Sequence, residues 1–98
     1  MQRDVEHLRD MLRQELPTLT HRYHVASLGL FGSYVRQENR PDSDLDVLVT
    51  FSETPSLLRL IELEDHLSDI LGVKVDLVMR DALKPEIGRR VLAEVVPV

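Results

Sequence analysis

Apolar residues recur at helical spacing near the start of the chain, at Val5, Leu8, Leu12 and Leu16. They predict an amphipathic helix from residue 3 to about residue 16. Pro17 should kink or end it, with the polar THRYH stretch, residues 20–24, as its exit. Residues 25–31 are a short run of small and branched apolar side chains closed by Gly32, which predicts a strand. A brief helical turn is expected from Ser33, and NRPDS, residues 39–43, carries strong turn chemistry. Residues 44–51 form the second predicted strand. Thr54 and Pro55 supply an N-cap and first-turn proline for a helix running to about Leu71, where Gly72 ends it. Its predicted apolar stripe is Leu57, Leu58, Ile61, Leu67, Ile70 and Leu71. Residues 74–79 make a third strand. Pro85 opens a last helix carrying Ile87, Val91, Leu92 and Val95, with Gly88 inside it at a cost of roughly 1 kcal/mol relative to alanine. Pro97 blocks its extension. Strands alternating with helices in this order predict a layered α/β domain with a small, largely covered sheet.

Composition narrows this picture. A chain of 98 residues fits one domain spanning residues 1–98, and 43% hydrophobic content fits a globular one. Twelve Lys and Arg against seventeen Asp and Glu give a net charge of −5, a poor footing for sequence-independent, direct binding of nucleic acid. An acidic chain can still hold a nucleotide through cations, because carboxylates bind the metal and the metal binds the phosphate. The absence of cysteine excludes disulfides and thiolate metal sites and suits a reducing cytoplasm. The charged N-terminus does not read as a signal peptide, and no apolar run reaches membrane-spanning length, so no membrane association is expected.

The chemistry gathers around FGSYVRQENRPDSDLDVLV, residues 31–49. Strand alternation puts Asp44 and Asp46 on one face, roughly 6–7 Å apart at the backbone, close enough to grip one cation. Solvated acids at the entrance of a strand are the alternative. Asp76 lies inside the apolar KVDLVM run, where a buried carboxylate is expensive unless paired or metal-bound. An edge strand with a wet polar face would also accommodate it. Three acids without a His or Cys cluster are hard oxygen ligands, suited to Mg²⁺ or Mn²⁺. Gly32 and Ser33 follow the first strand directly: glycine permits a tight turn close to a ligand, and serine can cap a helical turn whose amides face an anion. An anion site beside a cation site is what a metal–triphosphate complex requires.

The pattern Gly32-Ser33-x-x-Arg36, then Ser43-Asp44-x-Asp46, then a distant Asp76, resembles the nucleotidyltransferase superfamily of DNA polymerase beta type. The likeness to its minimal nucleotidyltransferase (MNT) branch runs along almost the whole chain, through LGLFGSYVR, SDLDVLV, LGVKVDLV and the closing ALKPEI…RRVL…EV. It implies a small mixed β-sheet flanked by helices, an α+β arrangement. It also implies transfer of AMP from ATP with Mg²⁺, two ions being expected. By the same resemblance Asp44, Asp46 and Asp76 are the catalytic, metal-holding acids, with Asp76 helping to activate the acceptor hydroxyl. Gly32, Ser33, Arg36 and Ser43 are the nucleotide-binding residues. The sequence departs from the family at Gln37, often a second glycine, and at Val96-Pro97, where an aromatic residue is usual. MNT proteins act beside helical HEPN-type toxins, so the resemblance implies a hetero-oligomer with such a toxin and a tyrosine hydroxyl as acceptor. Neutralisation by binding alone is the alternative. A small-molecule acceptor is disfavoured because no further domain encloses one.

The remaining polar residues add little. His7, His21, His24 and His66 share no ligand spacing, Tyr23 and Tyr34 suit packing better than base stacking, and Arg40 is left outside the site. The acids of IELEDHLSD read as a solvated helix face.

Overall fold

A computed structural model describes residues 4–98. Helix α1, Val5–Tyr23, begins at an N-cap in which Asp4 Oδ1 accepts from the His7 amide at 2.9 Å. The predicted start at Arg3 lies outside the described residues. The predicted end at Pro17 is overturned, since the proline sits inside the helix. Pro17 is exposed and the stripe continues past it, burying Leu19 and Tyr23 as well as Leu8 and Leu12. Burying two further large side chains stabilises by roughly 1.5–3 kcal/mol each, which offsets the ~3 kcal/mol cost of an internal proline. The helix stops at His24, whose left-handed φ of 59° lets its amide close on the carbonyls of Leu19 and Thr20.

Four strands form a mixed sheet in the order β3-β2-β1-β4. Strand β1, Val25–Phe31, runs antiparallel to both β2, Leu45–Phe51, and the two-residue β4, Val96–Pro97, whereas β3, Val75–Met79, lies parallel to β2. The helix α2, Leu57–Leu71, makes the crossover from β2 to β3. Strand periodicity divides the sheet into two faces. Leu28, Leu30, Leu45, Val47, Val49, Val75 and Leu77 join the buried side chains of α1 and α2 in one core. Asp46 and Asp76 point the other way. The second face is covered in part, with Gly29 and Leu48 buried on it and Asp46 and Asp76 towards its open end.

Several boundaries shift. β2 starts at Leu45 and β3 at Val75, one residue later than predicted in each case. α2 starts at Leu57, not after Thr54: Ser56 caps it, its hydroxyl accepting from the Arg59 amide at 3.2 Å. The buried stripe of α2 is Leu63, Leu67 and Leu71, while Leu57, Leu58 and Ile61 are exposed. The acids flanking Leu63 hid it from the pattern, and Leu58 and Ile61 fall on the opposite side of a 3.6-residue period. One of those acids is not solvated. Glu64 Oε2 accepts from the Leu77 amide at 3.0 Å, and Ser68 Oγ from the Val75 amide at 3.0 Å, so α2 satisfies donors of the edge strand β3. A short 3₁₀ turn, Arg80–Ala82, leads to α3, Pro85–Glu94, which starts at Pro85 as predicted. Of its predicted stripe Val91 is buried, and Ile87 and Leu92 remain exposed. Pro97 does not merely end the chain's last helix. With Val96 it pairs against Gly29 and Leu30.

Candidate active site

Asp46 is the centre of the open face. It lies opposite Phe31 on β1 and in register with Asp76 on β3, so the two carboxylates stand on neighbouring strands of one face. Strands hydrogen-bonded in this way run about 4.8 Å apart, close enough for like charges to interact strongly. Asp44 precedes β2 by one residue and leans towards Lys74, its Oδ2 lying 4.0 Å from Nζ. Half-burial raises the Asp46 pKa to about 6, with the carboxylates of Asp76 and Asp44 adding to it and Arg36 opposing. Asp76 is exposed on the edge strand, so the cost of burial is not what marks it out; its register with Asp46 is.

Gly32 has no substitute here. Its φ is 83°, and a side-chain carbon on it would collide with the Asp46 carboxylate. The strand thus ends in a backbone conformation that admits the acid against the α-carbon. Beyond it the chain makes one brief helical turn, as expected, followed by further tight turns. The Gly32 carbonyl accepts from the amides of Val35 and Arg36 at 3.1 Å each, and the Ser33 carbonyl from Glu38 at 2.8 Å. Gln37 takes a left-handed φ of 59°, a conformation that glycine adopts more readily. Ser43 closes the next turn, its hydroxyl accepting from the Arg40 amide at 2.8 Å just before Asp44. Tyr23 and Tyr34 are both core residues, 4% and 6% exposed, which removes them from any stacking role.

One residue escaped the reading of the sequence. Glu94, the last residue of α3, accepts from the Gly32 amide at 2.6 Å and from Arg36 Nη1 at 2.9 Å. Arg36 Nε also donates to Glu38 at 3.0 Å; that hydrogen bond, with Glu94 nearby, raises the guanidinium pKa. The available signal was electrostatic: an acid at a helix C-terminus opposes the helix dipole unless a donor or cation holds it. Gly32, Arg36, Asp46, Arg90 and Glu94 line one open cavity of about 270 Å³, with Phe31 and Ile87 as apolar wall.

Among the described residues, no three His, Asp or Glu side chains are drawn together tightly enough to hold a metal ion. The donor chemistry nonetheless fits a hard divalent cation: oxygen ligands only, with a central carboxylate whose ionisation is opposed by two others. Among the described residues no helix is long and apolar enough to cross a membrane.

Comparison with known proteins agrees with this arrangement. Residues 7–97 match the nucleotidyltransferase domain model. A protein adenylyltransferase, MntA of Thermococcus cleftensis, is 49% identical over 94% of this chain and 93% of its own length. A solved candidate minimal nucleotidyltransferase superposes with a TM-score of 0.80 at 40% identity, covering 98% of this chain and 97% of that one. A toxin–antitoxin crystal structure with AMP-PNP shares the fold, with a TM-score of 0.71 at 23% identity, covering 86% of this chain and 69% of that one. The chain belongs to the nucleotidyltransferase family, in its minimal branch.

Proposed function

We propose that the protein transfers AMP from ATP, in a Mg²⁺-dependent reaction, to a tyrosine hydroxyl of a HEPN-type toxin and so acts as its antitoxin. The observation that carries this reading is the Asp46–Asp76 pair, held in register beside the Gly32 turn on an open sheet face. The adenylyltransferase name of the Thermococcus relative and the AMP-PNP-bound toxin–antitoxin neighbour support the choice of nucleotide and partner.

In this mechanism Asp44, Asp46 and Asp76 are the residues that would hold Mg²⁺, which when bound would supply positive charge to offset that of the triphosphate. Ser33 and Arg36 meet the phosphates, and Ser43 fixes the turn that presents Asp44. Gly32 contributes its lack of a side chain, since its amide is already engaged by Glu94. The tyrosine oxygen bonds to the α-phosphorus as the bond from that phosphorus to the α–β bridging oxygen breaks. Pyrophosphate leaves, and the phenolic proton passes to the exposed carboxylate of Asp76. The test is the intact mass of the HEPN-type partner after incubation with this protein and ATP–Mg²⁺. A gain of one or more AMP units is expected; an unchanged mass would overturn catalysis. Binding alone is the second reading, and one observation favours it: Glu94 already occupies donors of the turn that a phosphate would use.

A further inference from the structure

We infer that Glu94 is the positioning residue of the phosphate-binding turn, a clamp that fixes Arg36 and the Gly32 backbone in the arrangement that receives the triphosphate. The inference rests on the nucleotidyltransferase reading of this site and adds to it a residue and a cause. Three hydrogen bonds carry it. Glu94 Oε1 takes the Gly32 amide at 2.6 Å and Arg36 Nη1 at 2.9 Å, while Oε2 lies 3.3 Å from the same Nη1. One carboxylate therefore ties the first residue of the turn to the arginine four positions on.

The clamp is itself held from behind. Glu94 ends α3, and the next residues cross to β1, where Val96 pairs with Leu30 and Pro97 with Gly29. The Val95 side chain packs against the α-carbon of Gly29, a contact that any larger residue there would block. The sheet thus sets the height at which Glu94 meets Gly32. Glu38 takes Arg36 Nε at 3.0 Å, so two carboxylates fix two edges of one planar guanidinium. These hydrogen bonds use Arg36 Nε and Nη1, and Nη2 is the part left to bond a phosphate oxygen. A flexible arginine would lose rotamer entropy on meeting the nucleotide; one already held loses less.

The alternative use of the same geometry has the opposite sign. If Glu94 were a plug in the phosphate seat, its removal would tighten nucleotide binding. Glu94→Ala and Glu94→Gln separate the two, because the glutamine oxygen can still accept from Gly32 and Arg36 without the charge. The measurements are steady-state kinetics of AMP transfer with the partner, and direct titration of each variant with AMP-PNP–Mg²⁺. A clamp predicts that Glu94→Ala raises KM for ATP and Kd for AMP-PNP about tenfold, the scale of a lost charge-assisted hydrogen bond, with kcat changed far less. Glu94→Gln should stay within about threefold of the parent on the same scale. Faster amide exchange at Gly32 in Glu94→Ala, with thermal melting showing a folded protein, would add support. Unchanged or tighter binding by Glu94→Ala overturns the clamp, and so does a glutamine variant as weak as alanine. If Glu94→Ala fails to fold, the glutamine variant decides alone: near-parental binding with a protected Gly32 amide supports the clamp, and weakened binding overturns it. Nucleotide binding without transfer by the parent protein refutes the proposed activity while leaving the clamp legible in Kd. Absence of nucleotide binding by the parent refutes both.

Discussion

The two faces of strand β2 are built to opposite rules. Leu45, Val47 and Val49 are fully or almost fully buried against α1 and α2, in a core where neighbours agree. Asp46, one residue away from two of them, faces Asp76 across the strands and the Asp44 carboxylate beside it, where neighbours conflict. A fold tolerates such a conflict only because the first face supplies stability in excess. The open face is therefore where substitutions should cost function and spare the fold, and the closed face the reverse.

That contrast can be broken in graded steps. Leu67→Ala, at a fully buried α2 position, should lower unfolding free energy by about 2–5 kcal/mol, read by denaturant titration. A loss below ~1 kcal/mol would mean the closed face is not the stabilising one. Gly32→Ala sits on the boundary between the faces and should cost about 1–3 kcal/mol, because it forces both a left-handed alanine and displacement of the Asp46 carboxylate. Its nucleotide affinity should fall further than its melting temperature suggests.

Asp46→Asn should act in the opposite direction on stability. With a pKa of about 6 in the folded protein against an ordinary 3.8, Asp46 favours folding when protonated. That contribution is complete below about pH 3.8 and disappears as pH rises through about 6. In metal-free buffer the variant should therefore melt like the parent near pH 4 and above it at pH 8. The gap should be about 1 kcal/mol once solvent screening of a half-exposed group is allowed for. Mg²⁺ should raise the parent's melting temperature and leave the variant's unmoved. The smallest effect expected is from Gln37→Gly, a gain of roughly 0.5–1 kcal/mol from relief of a left-handed glutamine, measurable as a shift in melting temperature.

The same contrast explains which parts could be read from sequence. β1, β2 and β3 were legible because alternating or continuous apolar runs bounded by Gly32, the NRPDS turn and Gly72 leave little choice of element. Asp44, Asp46 and Gly32 stood out as candidates because acids and a glycine break that pattern, and the structure brings Gly32 against Asp46. Pro17 and Leu63 were not legible, because tertiary burial decided both against a local rule: a proline inside a helix, and a core leucine among acids. The Ser33 turn is helical for one turn only, because the next hydrogen bonds, from Gln37 to Tyr34 and from Glu38 to Ser33, leave the i to i+4 series. Glu94 and β4 depend on residues about 60 positions apart meeting in space, and local pattern carries no record of that.

The most direct test of the central claim combines Asp44→Asn with Asp46→Asn and weighs the HEPN-type partner after incubation with ATP–Mg²⁺. The account predicts a variant that melts at or above the parent temperature, still binds the partner and transfers no AMP. Undiminished AMP transfer by the double variant, or a collapse of its fold, would contradict it.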